Sequence, residues 1–329
     1  MNQSHEGRSI SVLIVTYNSE ETIERSLREL QGCTLIREVI IVDNASTDAS
    51  VAVIRRAAKQ SRLICNEQNI GFASAVNQIA SMATGKYLLI LNPDCFVSPL
   101  TLGHLAGIVE THRNVSIVAP RIVSEDGQSS RTLGAGWEPS IQTVMNHSTG
   151  LASFSKSHRH LRGLYLTCSR YAENDNYVDW VGGACMLVRR EAWIEVGGLS
   201  ERWFMYSEDI DLCRRVRETG GQVMHAGSVV ALHVGGASHV AGTVSTLWVR
   251  SLIDYYSSKP GRRAVSIVTF SWLLAAGMEA RAFVSILLWI GRRDRNQLVR
   301  ARAFGTFGRI ALVGPLSKSD VYHRVRPTS

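Results

Sequence analysis

Residues 11–43 read SVLIVTYNSEETIERSLRELQGCTLIREVIIVD. The opening SVLIVT (11–16) is a mostly apolar run of strand length, and it predicts a buried strand. Ile23, Leu27 and Leu30 then fall at helical spacing, with Asn18 or Ser19 available as N-cap and Gly32 as a stop. EVIIV (38–42) supplies a second strand. Strand, helix and strand in this order form a βαβ unit, whose two strands run parallel through a right-handed crossover.

The same alternation continues downstream. Val51, Ile54 and Ala58 mark a second helix capped from the 44–48 turn, and RLIC (62–65) is a short third strand. Phe72, Val76, Ile79 and Ala83 form a third helical stripe ending at Gly85, and YLLIL (87–91) is a fourth strand. This order predicts an α/β fold with a mainly parallel, Rossmann-like sheet flanked by helices. Beyond Pro120 the pattern weakens, and 124–176, rich in Gly, Ser, His and Arg, reads as loops and short elements on the substrate side. GACMLVR (183–189) restores a strand, followed by a short helix over 191–196, a turn at Gly197 and Gly198, and a helix over 208–219. Closing strands are expected at 223–226 and 229–233.

With 45% apolar and 19% charged residues in 329, the chain can bury a sizeable core, which excludes disordered and collagen-like classes. Its six cysteines include no C-x-x-C pair, so neither a disulfide scaffold nor a zinc ribbon is expected. The opening MNQSHEGRSI is polar and reads as no signal peptide, which together with the cysteines leads to an expected cytoplasmic location.

The net charge of +8 is unevenly placed. Residues 243–329 hold 14 Lys and Arg against 4 Asp and Glu, while 1–242 hold 22 against 24. The basic quarter also contains the uncharged runs 264–278 and 282–291, of 15 and 10 residues, flanked by Arg262, Arg263, Arg292, Arg293 and Arg295. Basic flanks beside apolar runs point to an anionic membrane surface rather than to nucleic acid. One long spanning helix would place Glu279 and Arg281 in hydrocarbon, at about 2.5 to 3.5 kcal/mol each. Two amphipathic helices lying in the interface avoid that cost and are the expectation here. A helical appendage packed on the catalytic domain or on a second subunit of a homo-oligomer is the other reading.

Neither G-x-x-x-x-G-K-[ST] nor G-x-G-x-x-G after the first strand is present, so a nucleotide would have to be held by acidic and amide groups at strand ends. Thr16, Tyr17 and Asn18, then Asp43 to Asp48, then Asn92 and Asp94 are three such clusters, and the carboxyl ends of parallel strands bring them to one edge. Asp43 can accept from a pyrimidine N–H or a ribose hydroxyl, and Asp94 can ligate a divalent cation. The 43–48 segment reads equally as a helix-capping turn. A second constellation sets Glu208, Asp209 and Asp211 beside Trp203, Phe204 and Tyr206. Acidic residues at a helix start complement its dipole. Next to an aromatic platform that can stack on a sugar ring, such a carboxylate also suits a general base toward a sugar hydroxyl.

These segments, SVLIVTYNSEETIERSL (11–27), VDNASTD (42–48), NIGFASAVNQ (69–78), LNPDC (91–95), VGGACMLVRR (181–190), GGLSERWFMYSEDIDLCRR (197–215) and LHVGGAS (232–238), stand in an order that resembles a family 2 inverting glycosyltransferase of the GT-A fold. The likeness spans roughly 9–238 and is greatest to the rhamnosyltransferase branch. It implies a GT-A domain over 9–242, with a nucleotide-sugar half at 9–120 and an acceptor and catalytic half at 121–242, followed by a helical extension at 243–329.

The resemblance also implies roles. Thr16, Tyr17, Asp43, Asn69, Gly71, Phe72, Asn77 and Asn92 would line the donor pocket. Asp94 would hold Mg²⁺ or Mn²⁺ on the diphosphate, with His233 as a further ligand. Asn92 stands where the family's acidic signature often begins with a carboxylate, so one ligand is missing. Asp209 would be the catalytic base, and Trp180, Gly182, Gly183, Trp203, Tyr206 and Glu208 would border the acceptor. The implied reaction is transfer of L-rhamnose from dTDP-L-rhamnose to a saccharide or polyprenyl-diphosphate-linked acceptor in cell-envelope polysaccharide synthesis. Transfer from a UDP- or GDP-linked sugar, or non-catalytic nucleotide or glycan binding, are the alternatives. A sugar-phosphate nucleotidyltransferase would carry a glycine-rich basic loop where TYNSEET (16–22) stands.

Overall fold

In the computed structural model the 11–43 run folds as β1 (Ile10–Thr16), α1 (Ile23–Glu29) and β2 (Ile36–Asp43). The structure describes residues 10–124, 134–154, 159–166, 172–234, 246–293 and 295–313. Six of the seven β1 residues are buried, consistent with a strand that shows no polar alternation. α2 (Ser50–Ala57), β3 (Arg62–Cys65), α3 (Phe72–Ala80) and β4 (Tyr87–Leu91) continue the series. β1 pairs in parallel with β2 and β4, and β2 with β3. The register sets Thr16 opposite Asp43 and Ile14 opposite Leu91, so three strand ends share one edge.

The start of α1 differs from expectation. Thr22 is its N-cap and makes no side-chain capping bond. Asn18 and Ser19 instead join the neighbouring turn: Asn18 Oδ1 accepts from the Thr47 N–H at 2.8 Å, and the Ser50 hydroxyl accepts from the Ser19 N–H at 2.7 Å. These bonds tie the loop after β1 to the loop after β2.

The second half of the sheet contains β5 (Cys95–Phe96), β6 (Val115–Val123), β8 (Asn176–Val178), β10 (Cys185–Arg189) and β11 (Gln222–His233). The strand order is β3-β2-β1-β4-β10-β6-β11-β5, with β8 also on β11. β10 runs antiparallel between β4 and β6, and β6 and β11 are parallel to each other. The two expected closing strands are one strand, whose pairing shifts between Ala226 and Val230 and then resumes. The β7 (Ala135–Gly136) and β9 (Trp180–Val181) pair forms a separate ribbon. α4 (Pro99–Thr111), capped by the Ser98 hydroxyl with Pro99 opening the helix, buries Leu102 and Leu105 in a core shared with Ile14, Leu89 and Leu187. α6 (Arg190–Val196) and α7 (Glu208–Glu218) complete this unit, which draws on Met1–Gly136, Ser169–Phe204 and Glu208–Ser238.

A second unit draws on Trp137–Cys168, Met205–Ser207 and His239–Ser329. Its helices are α5 (Ile141–Thr149), α8 (Leu247–Ser257), α9 (Ala264–Arg292) and α10 (Arg295–Val313). α5 lies in the stretch expected as loops and short elements. The boundary expected at 242/243, residue 9 and residues 235–238 of the LHVGGAS run lie outside the described residues. The two helices expected from the uncharged runs are one 29-residue helix, α9. The charges between the runs do not break it, because both are accommodated within this unit. Arg281 donates to the Gly277 carbonyl at 3.0 Å and to the His147 carbonyl of α5 at 2.5 Å. Glu279 occupies the space left by Gly308 of α10, where an added Cβ would stand 2.5 Å from its Oε1.

Candidate active site

The shared strand edge is a network of hydrogen bonds. Asp43, 2% exposed, accepts from the Thr16 hydroxyl at 3.1 Å, the Ser46 hydroxyl at 2.6 Å and the Ser46 N–H at 2.9 Å. The carboxylate therefore shapes the turn after β2, as the capping reading anticipates, while standing at the strand end expected to meet a donor. Tyr17 is half-buried beside it, and its carbonyl accepts from the Ser19 hydroxyl at 3.2 Å.

The 69–72 segment is held by Asn44, a residue the sequence reading did not single out. Its amide donates to Asn69 Oδ1 at 2.8 Å and to the Gly71 carbonyl at 3.3 Å, and its Oδ1 accepts from the Ile70 N–H at 3.1 Å. Asn44 is 2% exposed, and Asn66, bonded in turn to Gln78, extends the network. Gly71 has a φ of +86°, and a Cβ there would meet the Phe204 carbonyl at 2.8 Å. That carbonyl accepts from the Phe72 N–H at 2.8 Å, so Phe204 is a second contributor that the sequence reading placed only in the aromatic platform. Asn77 differs from the other expected donor residues. Its amide is engaged by Leu199 at both ends and donates to Glu201 Oε1, so it braces α3 against the 199–201 loop.

After β4 the chain turns at Asn92, whose carbonyl accepts from the Cys95 N–H at 3.1 Å. The antiparallel pairing of Cys95 with His233 brings Asp94 to the end of β11. Asp94 Oδ1 and His233 Nε2 are 3.1 Å apart, and Asp94 is 5% exposed. Two adjacent ligands on an octahedral hard cation, each bonded at about 2.1 Å, stand about 3 Å apart. Asp94 and His233 are hydrogen-bonded to each other here, and the same separation would also suit two neighbouring ligands of a divalent ion. Among the described residues no third His, Cys, Asp or Glu joins them.

Near the start of α7, Asp209 Oδ2 accepts from the Gly183 N–H at 3.2 Å, and its Oδ1 from the Ile210 N–H at 2.8 Å. Burial pushes the Asp209 carboxyl above its ordinary range, against the pull of those two N–H groups. Glu208, 5% exposed, has no hydrogen-bond partner at Oε2 among the described residues. Burial first, and the Asp209 charge second, hold its carboxyl well above the usual carboxylate range. Gly183 faces the Phe72 ring, which a Cβ would meet at 3.5 Å, and Gly182 donates to the Gly134 carbonyl at 2.8 Å. Trp180 and Trp203, expected as acceptor surfaces, are 3% and 6% exposed and pack inside the protein. Phe204 and Tyr206 are half-buried, and Tyr206 and Ser207 carry φ of +70° and +73° where the chain enters α7. Asp211 is paired with Arg214 and Arg215, at 2.8 and 2.7 Å.

Residues 11–165 match the family description glycosyl transferase family 2. Over 304 residues the chain is 27% identical to N-acetylglucosaminyl-diphospho-decaprenol L-rhamnosyltransferase of Mycobacterium tuberculosis, covering 88% of this chain and 96% of that one. It is 23% identical over 231 residues to rhamnosyltransferase WbbL of Escherichia coli, covering 68% and 83%. Among solved structures, the mannosyltransferase PcManGT from Pyrobaculum calidifontis, in complex with GDP-Man and Mn²⁺, superposes with a TM-score of 0.58 at 16% identity, over 92% of this chain and 86% of that one.

Proposed function

We propose that this chain, whose residues 11–165 match glycosyl transferase family 2, transfers L-rhamnose from dTDP-L-rhamnose, with inversion, to a saccharide or polyprenyl-diphosphate-linked acceptor in cell-envelope polysaccharide synthesis. The observation that carries the reading of the chemistry is the Asp209 carboxyl, held by the Gly183 and Ile210 N–H groups and raised by burial above its ordinary range. The likeness to relatives named as rhamnosyltransferases supports the donor.

Asp209 takes the proton of the acceptor hydroxyl as its oxygen attacks the anomeric carbon. The new C–O bond forms on the face opposite the nucleoside diphosphate, whose bond to that carbon breaks, so a single displacement inverts the centre. The backbone N–H groups on Asp209 fix its orientation without adding a charge. Asp94 and His233 would hold a divalent cation, Mg²⁺ or Mn²⁺, which when bound neutralises negative charge on the diphosphate. The 69–72 turn and the ends of β1 and β2 would border the nucleoside. The protein would work at the inner face of the cytoplasmic membrane, where a lipid-linked acceptor is found.

Release of nucleoside diphosphate from a donor panel tests the reading. dTDP-L-rhamnose is expected to give the highest kcat/KM, with turnover abolished by chelator and restored by Mg²⁺ or Mn²⁺. A higher kcat/KM for UDP-glucose or UDP-galactose overturns the donor, and full activity in excess chelator overturns the metal. Binding of nucleotide sugars with no turnover leaves the non-catalytic reading.

A further inference from the structure

α9 is apolar on its outward as well as its buried side. The side chains it buries within its own unit include Ser271, Gly277 and Ser285 alongside Phe270, Leu274 and Met278, and Arg281 lies half-buried on that side. Its large apolar side chains point the other way: Val265, Val268, Trp272, Phe283, Leu287 and Ile290 are between 51% and 77% exposed. Their spacings of 3, 4, 11, 4 and 3 residues keep them on one stripe of a 3.6-residue helix, with Ala276, Glu279 and Ala280 in the long gap, where the exposed Glu279 has its carboxylate beside Gly308 of α10. A helix of a soluble protein ordinarily places such a stripe of large apolar side chains inward.

Both ends of the stripe are basic. Arg262 and Arg263 precede the helix and Arg293 and Arg295 follow it, all exposed. Arg262 stacks over the Tyr256 ring at 4.3 Å, and a cleft of about 550 Å³ at this end is lined by Arg262, Arg263, Ser266 and Thr269. An apolar stripe bounded by fixed cations is the complement of a bilayer surface with anionic headgroups.

We propose that the outward face of α9 seats this chain on an anionic bilayer, with the helix axis in the membrane plane. By length and composition α9 could cross a membrane. Its packing favours the in-plane arrangement: the Ser148 hydroxyl of α5 donates to the Leu273 carbonyl at 2.8 Å, and Arg281 reaches the His147 carbonyl, so crossing would carry polar α5 into the hydrocarbon. This inference stands on the helical unit alone. Vesicle binding without sugar transfer would refute the function proposed above and leave the docking face intact, and the reverse result would do the opposite.

The test is flotation of the full chain with phosphatidylcholine vesicles containing about 30% phosphatidylglycerol, beside vesicles of phosphatidylcholine alone. The chain is expected to float with the anionic vesicles and to bind more weakly as salt rises from about 0.1 M to about 0.5 M. Replacing Trp272→Ser, Phe283→Ser and Leu287→Ser together should lower the partition coefficient by about tenfold or more, with an unchanged far-ultraviolet circular dichroism spectrum. Three results overturn the proposal: parent chain left in the soluble fraction with anionic vesicles, undiminished partition of the folded triple variant, or lipid-free self-association that the triple variant abolishes. The last would assign the face to a second copy.

Discussion

At the scale of single residues, the two carboxyls at the start of α7 carry the sharpest predictions. Asp209→Asn can keep only one of the two hydrogen bonds from backbone N–H groups, because Gly183 and Ile210 donate to different carboxylate oxygens and an amide NH₂ cannot accept, and it cannot take a proton. It should bind donor normally and lose roughly 10² to 10⁴ in kcat, as measured by nucleoside diphosphate release. Near-normal kcat would remove Asp209 from the mechanism. Glu208 makes a separate prediction about stability. Its folded-state pKa lies above the unfolded value, so the folded chain holds this proton more tightly. The stability so contributed is complete below the unfolded value of about 4.3 and is lost as pH rises through the raised folded value. Glu208→Gln has no such proton to lose, and its thermal midpoint should fall less than that of the parent as pH rises through this window. Parallel pH profiles for the two proteins would show that Glu208 is not the group responsible.

The elements show how a site is assembled from turns. The 69–72 turn before α3 depends on a glycine for two separate reasons, a φ of +86° and a Phe204 carbonyl 2.8 Å from where a Cβ would stand. Gly71→Ala must move that carbonyl and weaken its bond from the Phe72 N–H. The expected cost is about 1 to 3 kcal/mol, read in denaturant unfolding, with a rise in donor KM if this turn borders the nucleoside. An unchanged unfolding midpoint would mean that the turn relaxes freely. Asn44 explains why the turn is rigid: one buried amide bonds to Asn69, Ile70 and Gly71 at once. Its position in VDNASTD marks it as a turn residue, and nothing local in the sequence reveals that its partners lie 25 to 27 residues away.

On the scale of the whole molecule, charge and hydropathy are segregated along the chain, with the excess of positive charge in 243–329 and the long apolar helix α9 in the same quarter. The amino-acid sequence by itself determined β1 to β4 and their parallel order, the three strand-end clusters, and the basic, apolar character of the last quarter. Each of these depends on side-chain periodicity within about a dozen residues or on summed composition, which are local quantities. Tertiary structure alone decided that β10 enters antiparallel between β4 and β6, that β11 continues through a break in pairing, and that Asp94 meets His233 across 139 residues of chain. It also decided that Trp180 and Trp203 are interior, that Asn77 is a brace, and that Glu279 and Arg281 leave α9 whole. Burial and hydrogen-bond partnership belong to pairs of surfaces brought together by the fold: Arg281 interrupts an apolar run when read along the chain, and becomes compatible with the helix only where the His147 carbonyl of α5 receives it.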